Sequence, residues 1–267
     1  MPQAALLIGK YGDAAGYDAY MGDWSRALAP LLLNFAALQQ PASLIDVGCG
    51  TGNLLVAAAS SFPGIRLVGI DPSAALLQKA RARAELASAE LVEGTAERTP
   101  FTDATFDGCL SLLVLQEFTD RAATLSEMRR VTRSAGVVAA CQWDFVHMPV
   151  IATLVEAMSS VNAAIGEQLA TRSGDLLGSE ADLTSAWTNA KFRDVSASRI
   201  HVTRQYRDFS HLWTSLLAGS TPSTLMLTAM PHADRDLVRQ RMQTRFPAMS
   251  SSGLEVRAEA LAVRGLA

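Results

Sequence analysis

Apolar and polar positions follow two rhythms along this chain. Short apolar runs at 43–47, 65–70, 90–92, 106–112 and 136–142 have the length of buried strands. Between them, apolar residues recur at helical spacing over 53–60, 73–87 and 120–132. Strands alternating with helices in this way predict a doubly wound α/β fold, a parallel sheet with helices on both faces. Upstream, Trp24 to Leu38 also has helical spacing. After Asp144 the rhythm changes. Residues 150–165 and 180–190 read as helices, while 195–203 and 254–263 alternate like strands. The stretch between those last two strands is apolar and is broken by Pro222 and Pro231. Its apolar content argues against disorder and predicts a helical cap. The expected division is an N-terminal lid over 1–40, a core over 41–204, a cap insertion over 205–250 and a final edge strand over 251–267.

The chemistry concentrates at the end of the first strand. Leu44-Ile-Asp-Val-Gly-Cys-Gly-Thr-Gly52 runs from an apolar strand into glycines at 48, 50 and 52, and a helix follows. Glycines turn the chain sharply and leave no side chain between backbone and ligand. The loop's N–H groups and the helix start are expected to face whatever lies over the strand end. The second strand ends in Asp71, whose carboxylate would reach both hydroxyls of a ribose. As a strand-tip residue, Asp71 is expected to serve a ligand and to matter little for folding. A dinucleotide fingerprint is G-x-G-x-x-G. Here the pattern is G-x-G-x-G, with Asn53 where the third fingerprint glycine would stand. A dedicated pyrophosphate cradle is therefore not expected.

The run Asp46-Val-Gly-Cys-Gly-Thr-Gly52 resembles the first motif of the class I S-adenosylmethionine-dependent methyltransferases. Three further stretches match in order: Val68-Gly-Ile-Asp-Pro-Ser73, Gly94-Thr-Ala-Glu-Arg-Thr-Pro-Phe-Thr-Asp-Ala-Thr-Phe-Asp107, and Cys109-Leu-Ser-Leu-Leu-Val-Leu-Gln-Glu-Phe118. The second of these is similar to the adenine-edge segment of the branch that holds quinone-biosynthesis and small-molecule methyltransferases. The resemblance implies a mostly parallel, seven-stranded Rossmann-like sheet that binds S-adenosyl-L-methionine and releases S-adenosyl-L-homocysteine. It places Asp46, Gly48, Cys49, Gly50, Gly52, Asp71, Pro72, Thr95, Ala96, Glu97, Leu112, Leu113 and Gln116 around the cofactor. Asp46 orders the glycine loop in one reading and faces the cofactor's amino group in another. Thr95 departs from the family, where Asp often takes the adenine amino group. Tyr17-Asp-Ala-Tyr-Met-Gly-Asp-Trp-Ser-Arg26 resembles a segment that folds over the methionine end. Tyr20 and Trp24 would then wall the sulfonium and Arg26 would take the carboxylate. Otherwise the same aromatics simply pack on the sheet.

An activated methyl needs alignment and dryness more than acid–base help. A base matters only if the acceptor loses a proton. Asp144, His147 and Glu117 fall near strand ends, and Asp144 and His147 are the catalytic candidates. His147 has the most suitable ordinary pKa, and a plain exposed loop histidine is its alternative. Trp143 is either a substrate wall or a core residue.

The remaining composition narrows the field. The chain has 267 residues, 49% of them apolar, and a net charge of −3. That charge gives no electrostatic footprint for nucleic acid. Its arginine groups (Lys79, Arg81, Arg83; Arg129, Arg130, Arg133; Arg235, Arg239, Arg241, Arg245) lie in helical stretches and are expected to be solvated. No apolar run has the length of a membrane span, and Ala4 to Ile8 is too short for a signal-peptide core. A cytoplasmic location is expected. Three cysteines without framework spacing predict small buried thiols. His147, His201, His211 and His232 are too widely spaced for a metal motif, so no metal is expected. The expected function is methyl transfer to a small-molecule acceptor. A catalytically silent S-adenosylmethionine-binding protein is one alternative, and an NAD(P)-binding oxidoreductase is another. The glycine spacing and the lack of a Tyr-x-x-x-Lys pair speak against the oxidoreductase.

Overall fold

A computed structural model describes residues 18–144, 147–170, 177–219, 221–246 and 253–267. Tyr11 and Tyr17 of the expected lid lie outside the described residues. One sheet organises the chain. Its strands are β1 (Ser43–Val47), β2 (Arg66–Asp71), β3 (Glu90–Glu93), β4 (Phe106–Leu112), β5 (Thr132–Trp143), β6 (Arg193–Tyr206) and β7 (Leu254–Leu266). They lie in the order β3-β2-β1-β4-β5-β7-β6. β1 to β5 pair in parallel, and β7 runs antiparallel to both β5 and β6. Order reverses beside β1, which makes its carboxyl end the natural ligand crevice.

Helices cover both faces because each strand's alternate residues are apolar on both sides. On one face, α1 (Asp23–Ala36), α2 (Asn53–Ser61) and α3 (Ala74–Arg81) bury Leu28, Leu32, Leu54, Leu55 and Leu77. On the other, α4 (Arg121–Val131) and α7 (Glu180–Asn189) bury Leu125, Met128, Leu183 and Trp187 against Val47, Phe106 and Val138. Ser73 and Asp120 cap α3 and α4 by accepting hydrogen bonds from Leu76 N and Ala123 N. Trp187 lies flat beside Phe192, with centroids 6.0 Å apart.

The expected helix 150–165 is two helices, α5 (Pro149–Val161) and α6 (Ala163–Ala170). Asn162 between them is extended, and its Oδ1 accepts from Ala164 N, so it starts the second helix at the cost of continuing the first. The insertion between β6 and β7 folds as α8 (Phe209–Ala218), α9 (Pro222–Ala229) and α10 (His232–Arg245). α5 packs against α9 and α10, so the helical cap draws on residues before β6 as well as after it. α8 packs against the Asp18–Gly22 π-helical turn that precedes α1. The segment expected as a lid and the insertion expected as a cap are therefore in contact. No described helix is long and apolar enough to cross a membrane.

Candidate cofactor and acceptor site

Register brings the two acids of the sequence motifs together. β1 pairs with β2 so that Val47 faces Ile70, which puts Asp71 beyond the end of β1 and under the glycine loop. Gly48 N and Cys49 N donate to Ile70 O at 2.8 and 3.1 Å. Gly50 N donates to Asp71 Oδ2 at 2.8 Å, and Gly52 N to Cys49 O at 2.8 Å. These N–H groups do not face a ligand, contrary to the expectation from sequence. The carbonyl and carboxylate at the end of β2 capture three of them, and the loop's own Cys49 O takes the fourth. Pyrophosphate recognition depends on such groups being free, and these four are not available for it.

Two glycines show what the loop is for. Gly50 has φ of +53°, and a Cβ there would meet nothing nearer than Leu76 at 4.0 Å. Its open side lets another molecule approach the backbone. Gly52 has φ of +81°, and a Cβ would lie 2.5 Å from Leu86. The positive φ and the nearby Leu86 methyl together favour glycine there.

Asp71 is 6% exposed, and its Oδ1 also accepts from Ser73 N at 2.8 Å. Asp71 is thus a structural brace, and the expectation that it matters little for folding is corrected. The role of ordering the loop belongs to Asp71, not Asp46. Asp46 is buried, and its Oδ1 has no partner among the described residues. Burial first, and the Asp71 charge second, push its carboxyl well above the ordinary range. Burial also raises the thiols of Cys49 and Cys109, and that of Cys141 to about 12. All three cysteines are free and buried. None has the stabilised thiolate of a nucleophile.

The 94–107 segment is fastened beside Asp71. Gly94 N donates to Asp71 O at 3.2 Å, and Thr95 bridges to Arg98 with Ala96 and Glu97 in the turn between them. Thr95 and Pro72 are exposed, while Ala96 and Glu97 are half-buried. Thr99 donates its N–H and hydroxyl to Glu127 Oε1 at 2.7 and 2.8 Å. Arg130 holds both Glu127 oxygens at 2.7 Å, and it reaches Asp103 at 2.6 Å and Phe101 O at 2.8 Å. The Arg130 hydrogen bonds bring the Glu127 carboxyl down to about 2. Arg130 is therefore no solvated helix residue. From sequence Glu127 and Arg130 are an ordinary i,i+3 pair, and only the loop packed on them makes them a clamp. At the end of β4, Leu112 and Leu113 are buried, with Leu113 at φ +63°. Gln116 Nε2 donates to Leu113 O at 2.9 Å, while its Oε1 is buried and unpartnered among the described residues.

The N-terminal segment is stitched to the glycine loop by Asn53, which the sequence offered only as the replacement for a third fingerprint glycine. Asn53 opens α2, and its Nδ2 donates to Ser25 Oγ at 2.7 Å and Gly22 O at 3.3 Å. Its Oδ1 accepts from Arg83 at 2.7 Å, and Arg83 also reaches Thr51 O at 3.2 Å. Arg83 thus joins Arg130 as an arginine that is not merely solvated. Tyr20 and Trp24 are both buried. Burial lifts the Tyr20 hydroxyl pKa further above neutrality. Trp24 stands edge-on to Trp143 with centroids 5.8 Å apart, and its Nε1 donates to Tyr206 Oη at 3.2 Å. Arg26 is not brought in. It stays on the exposed side of α1, paired with Asp23 at 2.8 Å. The buried guanidinium near Tyr20 is Arg204, from β6. Its place in an alternating strand hid it, because such a position normally faces water.

The two catalytic candidates sit elsewhere. Trp143 belongs to the core shared with α1, so the next residue, Asp144, points to the opposite face. There Asp144 Oδ2 meets His147 Nδ1 at 2.9 Å and Arg199 Nε at 3.1 Å. Burial alone would raise the Asp144 carboxyl, and these partners bring it below its ordinary value. The His147 side chain is half exposed. Ligating atoms of Asp144, His147 and Glu259 lie within 4.8 Å of one another. Arg199 pairs with Glu259 as well, at 3.4 Å, so the cluster is an ion-pair network with its cation already in place.

Comparison with known proteins agrees with this geometry. The methyltransferase-domain family matches residues 45–140. A trans-aconitate 2-methyltransferase of Methylobacterium radiotolerans is 33% identical over 174 residues, covering 59% of this chain and 65% of that protein. A malonyl-[acyl-carrier protein] O-methyltransferase of Geobacter sulfurreducens is 33% identical over 128 residues, covering 47% of this chain and 48% of that one. The chain spans about half the length of the first curated relatives it matches. A Haemonchus contortus phosphoethanolamine N-methyltransferase, solved with S-adenosylhomocysteine, shares the fold. It superposes at a TM-score of 0.59 with 15% identity, over 95% of this chain and 57% of that one. Residues 45–140 thus form a methyltransferase domain of the class I S-adenosylmethionine-dependent kind, set in a seven-stranded sheet whose fold the solved methyltransferases share.

Proposed function

We infer that this protein moves a methyl group from S-adenosylmethionine to a small-molecule acceptor by in-line displacement. The observation that carries the reading is the pair of acids under the loop. Asp71 braces the glycines while its position beside Gly50 suits ribose hydroxyls, and Asp46 leaves one buried oxygen unpartnered. A buried carboxylate oxygen left unpartnered beneath the loop fits a cationic nucleoside better than a pyrophosphate. When bound, S-adenosylmethionine supplies a methyl already activated on sulfonium. The chain's own work is then to hold and to enclose. Asp71 and the Thr95–Glu97 turn fix the nucleoside end, and Leu112, Leu113 and Gln116 line the end of β4. Asn53 ties the lid over the loop, and Tyr20 and Trp24 exclude water beneath it. Asp144 and His147 face away from Trp143, so an acceptor that needs no base suits the site best. The relatives named for trans-aconitate and malonyl-[acyl-carrier protein] act on small or carrier-bound groups, which supports a small acceptor here. A cytoplasmic setting is consistent with the free cysteines.

Calorimetric titration separates this reading from an oxidoreductase. S-adenosylhomocysteine is expected to bind, and NAD and NADP are not. Binding of a nicotinamide cofactor without S-adenosylhomocysteine binding would sink the proposal. Transfer of radiolabel from methyl-labelled cofactor into an organic-soluble product then distinguishes an enzyme from a silent binder.

A further inference from the structure

The acceptor side of the site carries an unmatched set of donors. β5 ends at Trp143, opposite Ala260, but β6 and β7 continue paired to Tyr206 and Leu254. This overhang carries Arg204 and Tyr206 above the end of the sheet and against the lid. Arg204 is 6% exposed, and its guanidinium carbon lies 4.4 Å from the centre of the Tyr206 ring. Its Nη1 donates to Tyr20 O at 3.0 Å and its Nη2 to Asp23 Oδ2 at 2.8 Å. Its Nε has no acceptor among the described residues, and neither does the buried Nε1 of Trp143. The two groups belong to one cluster. Trp143 is edge-on to Trp24, Trp24 is hydrogen-bonded to Tyr206, and Tyr206 underlies Arg204.

Charge points the same way. Asp23 is shared, with one oxygen 2.8 Å from Arg204 and the other 2.8 Å from Arg26. Arg26 is exposed, so the half-exposed Asp23 carboxylate is the one acid paired with Arg204 among the described residues, and it meets only one guanidinium nitrogen. Buried donors in native proteins are normally paired. Two unpaired donors, one of them on a guanidinium, and flat aromatic walls together describe a receptor for a planar anion.

Resting on the methyl-transfer reading, we propose that Arg204 and Trp143 are specificity residues that select a flat, conjugated carboxylate as the methyl acceptor. Arg204 supplies charge and its Nε–H, and Trp143 supplies the second N–H and a wall. Neither residue belongs to the nucleoside pocket of Asp71 and Gly50.

The test uses cinnamate and its neutral isostere cinnamamide, titrated by tryptophan fluorescence with S-adenosylhomocysteine present. The whole protein is expected to bind cinnamate at least tenfold more tightly than the amide. Arg204→Met should abolish that preference, and Trp143→Phe should weaken cinnamate several-fold. Calorimetric affinity for S-adenosylhomocysteine should stay unchanged in Trp143→Phe, and Arg204→Met, which also loses the contact to Tyr20 O, is read by its ratio of acid to amide binding alone. Because Arg204 is buried, Arg204→Lys provides a variant that keeps the charge. Loss of preference there reads the same way, since an ammonium cannot reproduce the Nε geometry. Equal binding of acid and amide, or binding of neither by protein that binds S-adenosylhomocysteine, overturns the proposal. So does a loss of S-adenosylhomocysteine affinity in Arg204→Lys, which would assign Arg204 to the cofactor. Failure of the wild-type protein to bind S-adenosylhomocysteine would instead defeat the methyl-transfer reading itself.

Discussion

Replacing Asp71 separates two jobs that one carboxylate performs. Its oxygens accept hydrogen bonds from Gly50 N and Ser73 N, both at 2.8 Å. Hydrogen bonds to a charged group contribute about 1.5–3 kcal/mol each, so the pair is worth roughly 3–6 kcal/mol before opposing terms. Burial opposes them. It raises the Asp71 carboxyl above its ordinary range, and the two N–H groups only partly offset that. Removing the carboxylate relieves this desolvation, so Asp71→Ala is expected to cost a net of about 2–3 kcal/mol. For a chain of this size that lowers Tm by roughly 5–10 °C. Asp71→Asn keeps one acceptor and turns an amide N–H towards the other donor, and about half that loss is expected. Affinity for S-adenosylhomocysteine should fall at least tenfold in both variants. Calorimetry must be run well below the lowered Tm, where both variants are folded. An unaltered Tm in Asp71→Ala would refute the bracing argument. Unaltered S-adenosylhomocysteine affinity would refute the ribose assignment, whatever happens to stability.

Other consequences can be checked separately. Arg130 depresses the Glu127 carboxyl from 4.5 to about 2. Its stabilisation is therefore present above the ordinary value and is lost as pH falls through the range down to about 2. Glu127→Gln should lower stability by on the order of 2–3 kcal/mol at neutral pH, and the gap to wild type should close in urea melts taken toward about pH 2. A gap that stays constant with pH would show that the clamp is not ionic. Gly50→Ala should fold with only the modest strain of a left-handed alanine yet lose S-adenosylhomocysteine affinity. Gly52→Ala should mainly lower Tm, because its Cβ meets Leu86. Equal behaviour of the two variants would contradict the open side of Gly50. His147→Ala should reduce the methyl-transfer rate less than tenfold and leave the pH profile intact. Loss of about 10²–10⁴-fold with an ionisation removed would make His147 a base.

The scaffold was readable wherever burial and pattern agree. β1, β2 and β4 begin and end within a residue of their apolar runs, because those runs are buried on both faces. Site chemistry was readable in kind but not in assignment. Two acids at neighbouring strand ends announce a loop and a ligand. Which acid braces the loop depends on strand register, and register placed Asp71 beneath Gly50. Arg204 was illegible for a different reason. Polar residues that alternate along a strand normally face solvent, and only the overhang of β6 and β7 turns this one inward. Glu127 and Arg130 repeat that lesson on a helix. Their spacing describes a surface pair until the 94–107 segment folds across it.

These displaced polar residues share a property. Arg83, Arg130 and Arg204 each reach backbone oxygens of a segment that has little regular structure: Thr51 O in the glycine loop, Phe101 O before β4, and Tyr20 O in the lid. Loops at the carboxyl end of a sheet cannot satisfy their own carbonyls by ladder pairing, and burying them unpaired is costly. A guanidinium can serve a carbonyl and a carboxylate at once, as Arg130 does with Phe101 O and Glu127 and Arg204 does with Tyr20 O and Asp23. An ammonium has no comparable planar fork. Arg83 and Arg204 serve such carbonyls at the carboxyl end of the sheet, and Arg130 serves Phe101 O at the opposite end, where β4 and β5 begin. Of these three, only Arg204 has a buried fork donor left unpartnered among the described residues, and it lies beside the aromatic wall of Tyr206, Trp24 and Trp143.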